Sequence, residues 1–310
     1  KRVTGVQTCA LPISAREKLE QHKYKVNPIN YVELPTTGIL ASRGCERHCT
    51  FCSQSVFKGA RVRSAHNIAD EIEDCARRFG MKGFRFYDDN LTAYRETCIG
   101  FCDELLTRGI RVNWNCFSRV DAVDEKLLMS MKRAGCHQIK LGVETGTEKM
   151  LKVIAKGITL DQSRRAVSMS RAAGIETQIS IILGLPGESV EEMRETISFA
   201  ISLNPDLAGF NLFKPLPGSP LYKKLDKSGM LAHYDWEDYS IKQTRPTLKE
   251  QLPQETLERM LSKAYLSFFL RPAYIAQRFK WLLKYPKREI SRFFIGMKYI
   301  LLNIFSGGGD

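Results

Sequence analysis

The sequence predicts an α/β fold, an open, partial (β/α)6 TIM-like barrel, on three observations. From about residue 37 the chain alternates short apolar runs with amphipathic windows, the pattern of a parallel sheet with helical crossovers. Six such β/α units fit between residues 38 and 213, short of the eight a closed barrel needs. Polar, Gly and Pro residues cluster after the strands, at the carboxyl ends where barrel sites are built.

The first strand falls near 38–42. Ser64 can cap a helix at about 65–79, along which Ile68, Ile72, Cys75 and Phe79 form an apolar stripe; Gly80 and Gly83 end it. A strand over 84–87 follows, then a helix near 94–108 and a strand at 110–117. Asp124 caps a helix to 134 ahead of a strand over 138–143. Next come a helix near 160–173, a strand over 176–183, a helix near 189–202 and a strand over 207–213. These elements run from about 38 to 213, within a core taken as 36–225 on the motif resemblance given below. An irregular N-terminal segment and linker, 1–35, precedes it, and a mainly helical basic extension, 226–310, follows.

Charge is uneven. The net +13 divides into +4 from residues 1–30 and +8 from 241–310, leaving +1 for 31–240. A nearly neutral centre argues against a nucleic-acid channel in the core. Nine cysteines, an odd number in a long chain of 310 residues with no visible secretory signal, do not read as a disulfide framework. Reduced thiols point to the cytoplasm. No run of ~18 apolar residues occurs to span a bilayer. The first fourteen residues, KRVTGVQTCALPIS, lack either periodicity and resemble translated sequencing-adapter sequence; on that reading the natural chain begins further upstream.

Cys45, Cys49 and Cys52 follow the first strand, with Phe51 before the last of them. Their spacing brings three thiolates to one centre and supplies no fourth. Zinc with His48 as fourth ligand, unliganded thiols, and an iron–sulfur cluster with one iron left open all fit that donor set. Cys98 and Cys102 share a helix face, where buried free thiols are the simpler reading than a second metal site.

The spacing C-x3-C-x2-C with an aromatic before the third Cys resembles the signature of the radical S-adenosylmethionine (radical SAM) superfamily. Asp88-Asp89-Asn90, Gly142-Val-Glu144-Thr-Gly146, Gly184-Leu-Pro-Gly-Glu188 and Pro215-Leu-Pro-Gly-Ser-Pro220 resemble its later segments, in order, over about 36–225. Relatives often have Pro after the first Cys, where this chain has Glu46. The resemblance implies a 4Fe–4S cluster on Cys45, Cys49 and Cys52, with S-adenosylmethionine on the open iron. It further implies reductive cleavage to a 5′-deoxyadenosyl radical that abstracts hydrogen from substrate. Phe51 would pack near the adenine, Asp88 in preference to Asp89 would meet the amino group, though alternation leaves open which of the two points inward, and Glu144 would hold a ribose hydroxyl or that amino group. Gly184 opens the turn that supports adenine. Arg119 would pair with the methionine carboxylate, or with Asp121 at the surface. A low-potential donor, flavodoxin or ferredoxin, is implied as well.

The approach Asn30-Tyr-Val-Glu-Leu-Pro35 most resembles cobalamin-binding-domain radical SAM proteins, whose cobalamin domain is absent from this chain. In a full-length parent, cobalamin would serve methylation or ring formation on a small-molecule or lipid-like substrate. In 287–305, Ile290, Phe293, Phe294, Met297, Leu301, Ile304 and Phe305 share a helical face opposite Lys287, Arg288 and Arg292. The expected arrangement docks that apolar face on the barrel; the sharper one lays it on an anionic membrane as a peripheral contact. The rivals are a tRNA methylthiotransferase-like radical enzyme and a non-catalytic zinc- or cluster-bearing RNA-binding module.

Overall fold

The computed structural model describes residues 30–53, 59–232, 246–249, 252–286 and 288–294, with Arg16, Asp235 and Glu237. The first fourteen residues and the end of the expected tail helix lie outside this set. The elements are β1 (Thr36–Ile39), β2 (Ser42–Arg43), β3 (Arg61–Val62), α1 (Ala65–Phe79), β4 (Gly83–Phe86), α2 (Arg95–Thr107), β5 (Asn113–Arg119), α3 (Glu125–Arg133), β6 (Cys136–Glu144), α4 (Glu148–Val153), α5 (Leu160–Ala172), β7 (Glu176–Leu183), α6 (Val190–Ser202), β8 (Leu207–Leu212), α7 (Pro220–Lys227), α8 (Gln254–Phe269) and α9 (Pro272–Lys284).

Six strands form one sheet in the order β1-β4-β5-β6-β7-β8, so strands that follow one another along the chain become neighbours. The pairings β1–β4, β4–β5 and β7–β8 are parallel. This is the open six-stranded α/β architecture that the alternating pattern predicts. The first strand departs from expectation: β1 ends at Ile39, and Ser42–Arg43 pairs instead with Arg61–Val62 in an antiparallel ribbon. The cause is local, because the Ala41 N–H donates to the Asp88 carboxylate rather than to a strand neighbour.

The chain divides into two compact units. The first comprises residues 1–46, 59–141 and 165–177. In its core, Phe86, Phe101 and Trp114 pack with ring centroids 5.3 Å apart, and Trp114 donates to the Ala134 carbonyl at 2.8 Å. Ser64 and Gly80 bound α1 as expected, the glycine at φ 62°. Its buried face also carries Glu71, which hydrophobic periodicity does not foresee. Two guanidiniums offset the burial: Arg16 donates to Glu71 at 2.7 Å and Arg63 pairs with its other oxygen.

The second unit comprises 47–58, 142–164 and 178–310. Met150, Ile154, Leu185, Phe213, Leu221 and Leu225 centre its core, with Phe51 packed against them. Phe210 of β8 meets Tyr265 and Phe268 of α8, and the Tyr265 hydroxyl donates to the Phe210 carbonyl at 2.8 Å.

Over the described part of the tail helix the expected faces are inverted. Arg288 and Arg292 are buried, whereas Ile290, Phe293 and Phe294 are exposed. The buried Glu289 carboxylate requires cations, and both arginines pair with it. The Arg288 guanidinium also lies over the rings of Trp281 and Tyr285, at 5.1 and 4.6 Å. Planar guanidiniums tolerate such stacking, so amphipathicity assigned the faces wrongly here.

Candidate active site

Within the first unit, Asp88 follows β4 and points inward while Asp89 is exposed. Its oxygens accept from the Ala41 N–H at 3.1 Å and from Ser42 Oγ at 2.5 Å, three residues ahead of Cys45. Burial pushes the Asp88 carboxyl up, and these hydrogen bonds oppose the shift. Tyr94 shares the neighbourhood: its phenol is pushed up to about 12, first by burial and then by the negative charge of Glu46, Cys45, Asp88 and Asp89. Asp88 therefore fixes the strand that leads into the cysteine loop. Asn90 fixes the next strand end, accepting from the Arg119 N–H at 3.2 Å. Arg119 is buried and grips Asp121 with two nitrogens, at 2.8 and 3.0 Å, so the pair expected at the surface lies inside.

Within the second unit, Thr50 anchors the cysteine loop. Its N–H donates to the Ile154 carbonyl at 2.9 Å, its hydroxyl to Val153 at 3.2 Å, and its carbonyl accepts from Leu221 at 2.8 Å. Ser53 donates to the Pro217 carbonyl, inside the Pro-rich segment after β8. Cys49 is buried and Cys52 half-buried, joined by a turn in which the Cys52 N–H donates to the Cys49 carbonyl at 3.2 Å.

Glu144, at the carboxyl end of β6, adopts φ 71°, left-handed backbone that non-glycine residues rarely hold. It pairs with Lys156 at 2.7 Å, and both side chains are buried. The Lys156 ammonium lies 5.6 Å from the centre of the Phe51 ring, which ties the ion pair to the cysteine loop. The two glycines of the segment have separate reasons. A Cβ on Gly142 would stand 2.5 Å from Glu144 Oε1 and 2.9 Å from Lys156 Nζ. A Cβ on Gly146 would stand 2.7 Å from the Thr196 Cα. Lys156 lies outside every motif the sequence marks; Thr50 sits inside the C-x2-C spacing and Asn90 beside Asp88 and Asp89, but neither position signals its role as an anchor.

Gly184 takes φ 75° after β7, and its N–H and that of Leu185 both donate to Glu188 Oε2, at 2.6 and 2.9 Å. Burial pushes the Glu188 carboxyl up to about 7, against those two bonds. A carboxyl raised in the folded state favours folding while protonated. Its contribution is therefore lost as pH climbs from the unfolded value near 4.5 through about 7. Glu188→Gln keeps an oxygen for both N–H groups and removes the titration. Urea unfolding at pH 5 and pH 8 should show wild type losing about 3 kcal/mol more than the variant across that interval. Parallel pH profiles for the two proteins would refute it.

The donor set suits a soft metal centre: three cysteines outside any disulfide on one short loop, with Phe51 among them. Among the described residues no three His, Cys, Asp or Glu side chains converge on a point as ligands of one ion do, and His48 is exposed. Thiolates that each take a different iron of a cluster stand farther apart than ligands of one zinc. The loop supplies three thiolates and no fourth, the number that a cluster with one open iron takes from a chain. The other described cysteines are buried and outside any disulfide. Hydrogen bonding with Cys102, then burial, drives the Cys98 thiol well up; Cys136, then burial, does the same to Cys116.

The sequence profile of the Radical SAM superfamily matches residues 39–200. The chain is 33% identical over 265 residues to an uncharacterized methyltransferase, PH0819, of Pyrococcus horikoshii, an overlap of 84% of this chain and 56% of that protein. It is 33% identical over 268 residues to the anaerobic magnesium-protoporphyrin IX monomethyl ester cyclase of Rubrivivax gelatinosus, covering 84% and 46%. The chain thus spans about half the length of these curated relatives. Among solved structures, it superposes on the radical S-adenosylmethionine methyltransferase TsrM from Kitasatospora setae, with cobalamin and a [4Fe-4S] cluster bound, at TM-score 0.58 and 22% identity over 64% of this chain and 41% of that one. The cobalamin-dependent S-adenosylmethionine radical enzyme OxsB, with aqua-cobalamin and S-adenosylmethionine bound, gives TM-score 0.60 and 17% identity over 83% and 46%. At these identities the likeness is one of fold, the partial barrel.

Proposed function

The chain belongs to the radical SAM superfamily, and from that premise we propose that it is an enzyme holding a 4Fe–4S cluster on Cys45, Cys49 and Cys52 and drawing a hydrogen atom from a small-molecule substrate. The observation that supports this most is the thiol loop held by Thr50 beside the strained Glu144–Lys156 pair. When bound, the cluster and S-adenosylmethionine supply one-electron cleavage of the sulfonium and hydrogen-atom abstraction. The chain's own part is positional. Asp88 holds the loop's entry, Thr50 its middle and Ser53 its exit. Phe51 offers an apolar wall, Glu144 a carboxylate for a hydroxyl or amino group, and the Gly184 turn a close backbone approach.

The two relatives named above are a methyltransferase and a cyclase, so we extend the reading to methylation or ring closure, with cobalamin in the parent protein. Residues 36–225 would form the catalytic core and 226–310 a helical extension. Flavodoxin or ferredoxin would supply the electron, in the cytoplasm. Anaerobic reconstitution with iron and sulfide, then dithionite and S-adenosylmethionine, tests the proposal. Release of 5′-deoxyadenosine is the expected result; a tetrahedral zinc spectrum and no such product would overturn it.

One observation adds a surface to this reading. Ile275, Phe279 and Leu283 recur every fourth residue on α9 and are exposed, as are Leu270, Ile290, Phe293 and Phe294. No helix among the described residues is long and apolar enough to cross a membrane. An exposed apolar stripe in a segment of net charge +8 suits an anionic bilayer surface instead. The chain should sediment with phosphatidylglycerol vesicles, less so as salt is added, and Phe279→Glu with Leu283→Glu should abolish this. Equal sedimentation with neutral vesicles, or by the double variant, would count against it.

A further inference from the structure

Alternation along β4 separates two faces of the sheet. Phe84 and Phe86 are fully buried, and Phe86 packs on Phe101 of α2, so Arg85 projects from the face turned away from that helix. Its surroundings there are aromatic. The guanidinium carbon lies 4.7 Å from the centre of the Tyr87 ring and 5.4 Å from that of Phe117. A second cation reaches the same ring from β6: Lys140 Nζ is 5.2 Å from the Phe117 centroid and donates to Asn30 Oδ1 at 2.5 Å. Two positive charges thus flank one aromatic side chain.

Arg85 meets no carboxylate among the described residues, and its Nε is buried without a hydrogen-bond partner there. A donor left in that state is destabilising, a cost that a Met or Leu at this position would avoid. Elsewhere in this unit buried arginines are satisfied: Arg63 and Arg16 by Glu71, Arg119 by Asp121. Ion pairing therefore gives no reason for a guanidinium at position 85. Stacking on Tyr87 and Phe117 holds its plane and leaves the nitrogen fork to a ligand, and such a fork matches a carboxylate or phosphate. Tyr87 is 55% exposed, so one wall of the stack is open to an incoming group.

We propose that Arg85, with Lys140 across the Phe117 ring, forms an anion subsite, and that the substrate carries a carboxylate or phosphate that docks there. That the anion belongs to a substrate rests on the radical-enzyme reading above; that the face binds an anion does not.

Isothermal titration of the full chain, without cluster or S-adenosylmethionine, separates the two. The probes are pyrophosphate and benzene-1,3,5-tricarboxylate at low salt. One site per chain is expected, weakened at least tenfold by Arg85→Met, less by Arg85→Lys, and strongly by Lys140→Met. Whichever probe binds more tightly names the anion. No saturable binding by wild-type protein overturns the subsite, as does Arg85→Met binding like wild type. Protein that releases 5′-deoxyadenosine yet binds neither probe removes the subsite and leaves the radical reading; protein that binds the anion and never forms 5′-deoxyadenosine does the reverse.

Discussion

Cys49→Ala protein, reconstituted with iron and sulfide, should release 5′-deoxyadenosine at less than about one hundredth of the wild-type rate. Loss of a partner behind a ligand already costs about 10–100-fold in metal affinity or activity, so loss of a ligand should cost more. Cys49 is the buried member of the three, which makes it the thiol least replaceable by water. His48 provides the contrast. It is exposed, and the zinc reading would need it as a fourth ligand. His48→Ala should therefore stay within about twofold of wild type, as surface substitutions usually do. Equal damage from both changes would favour a mononuclear site and sink the cluster assignment.

Lys156→Met should lower stability by about 3–5 kcal/mol, the scale expected when one partner leaves a buried ion pair. The remaining Glu144 carboxylate would be buried, unpaired and still in left-handed backbone. Adding Glu144→Gln should recover most of the loss, because the stranded charge disappears with it. Urea unfolding of the four proteins measures the coupling. Additive effects of the two changes would mean that Lys156 matters only through its packing on Phe51.

Local chemistry made much of the fold readable in advance. Ser64 and Asp124 accept from the helix N–H groups that the sequence assigns to them, and α1 and β7 begin and end where capping and periodicity place them. The cysteine loop and the Glu144 segment were legible as motifs. What held them was not. Thr50 reaches partners about 100 and about 170 residues downstream, and nothing in its own neighbours signals that. Lys156 and Glu71 follow a related rule, since a buried charge is explained by its partner: Glu144 lies 12 residues from Lys156, and Arg63 and Arg16 lie 8 and 55 from Glu71, at spacings no local pattern marks. The tail helix failed for a related reason. Periodicity tells which residues share a side, but only Glu289, Trp281 and Tyr285 tell which side is covered.

The bonds from Thr50 to residues 153, 154 and 221 also order events during synthesis. While the ribosome is still short of residue 221, the stretch bearing the three sulfurs lacks the Leu221 N–H that the Thr50 carbonyl accepts. Iron delivery should accordingly follow translation of the last barrel strand, and nascent chains cut before that point should take up sulfide-bound iron poorly however many cysteines they already display.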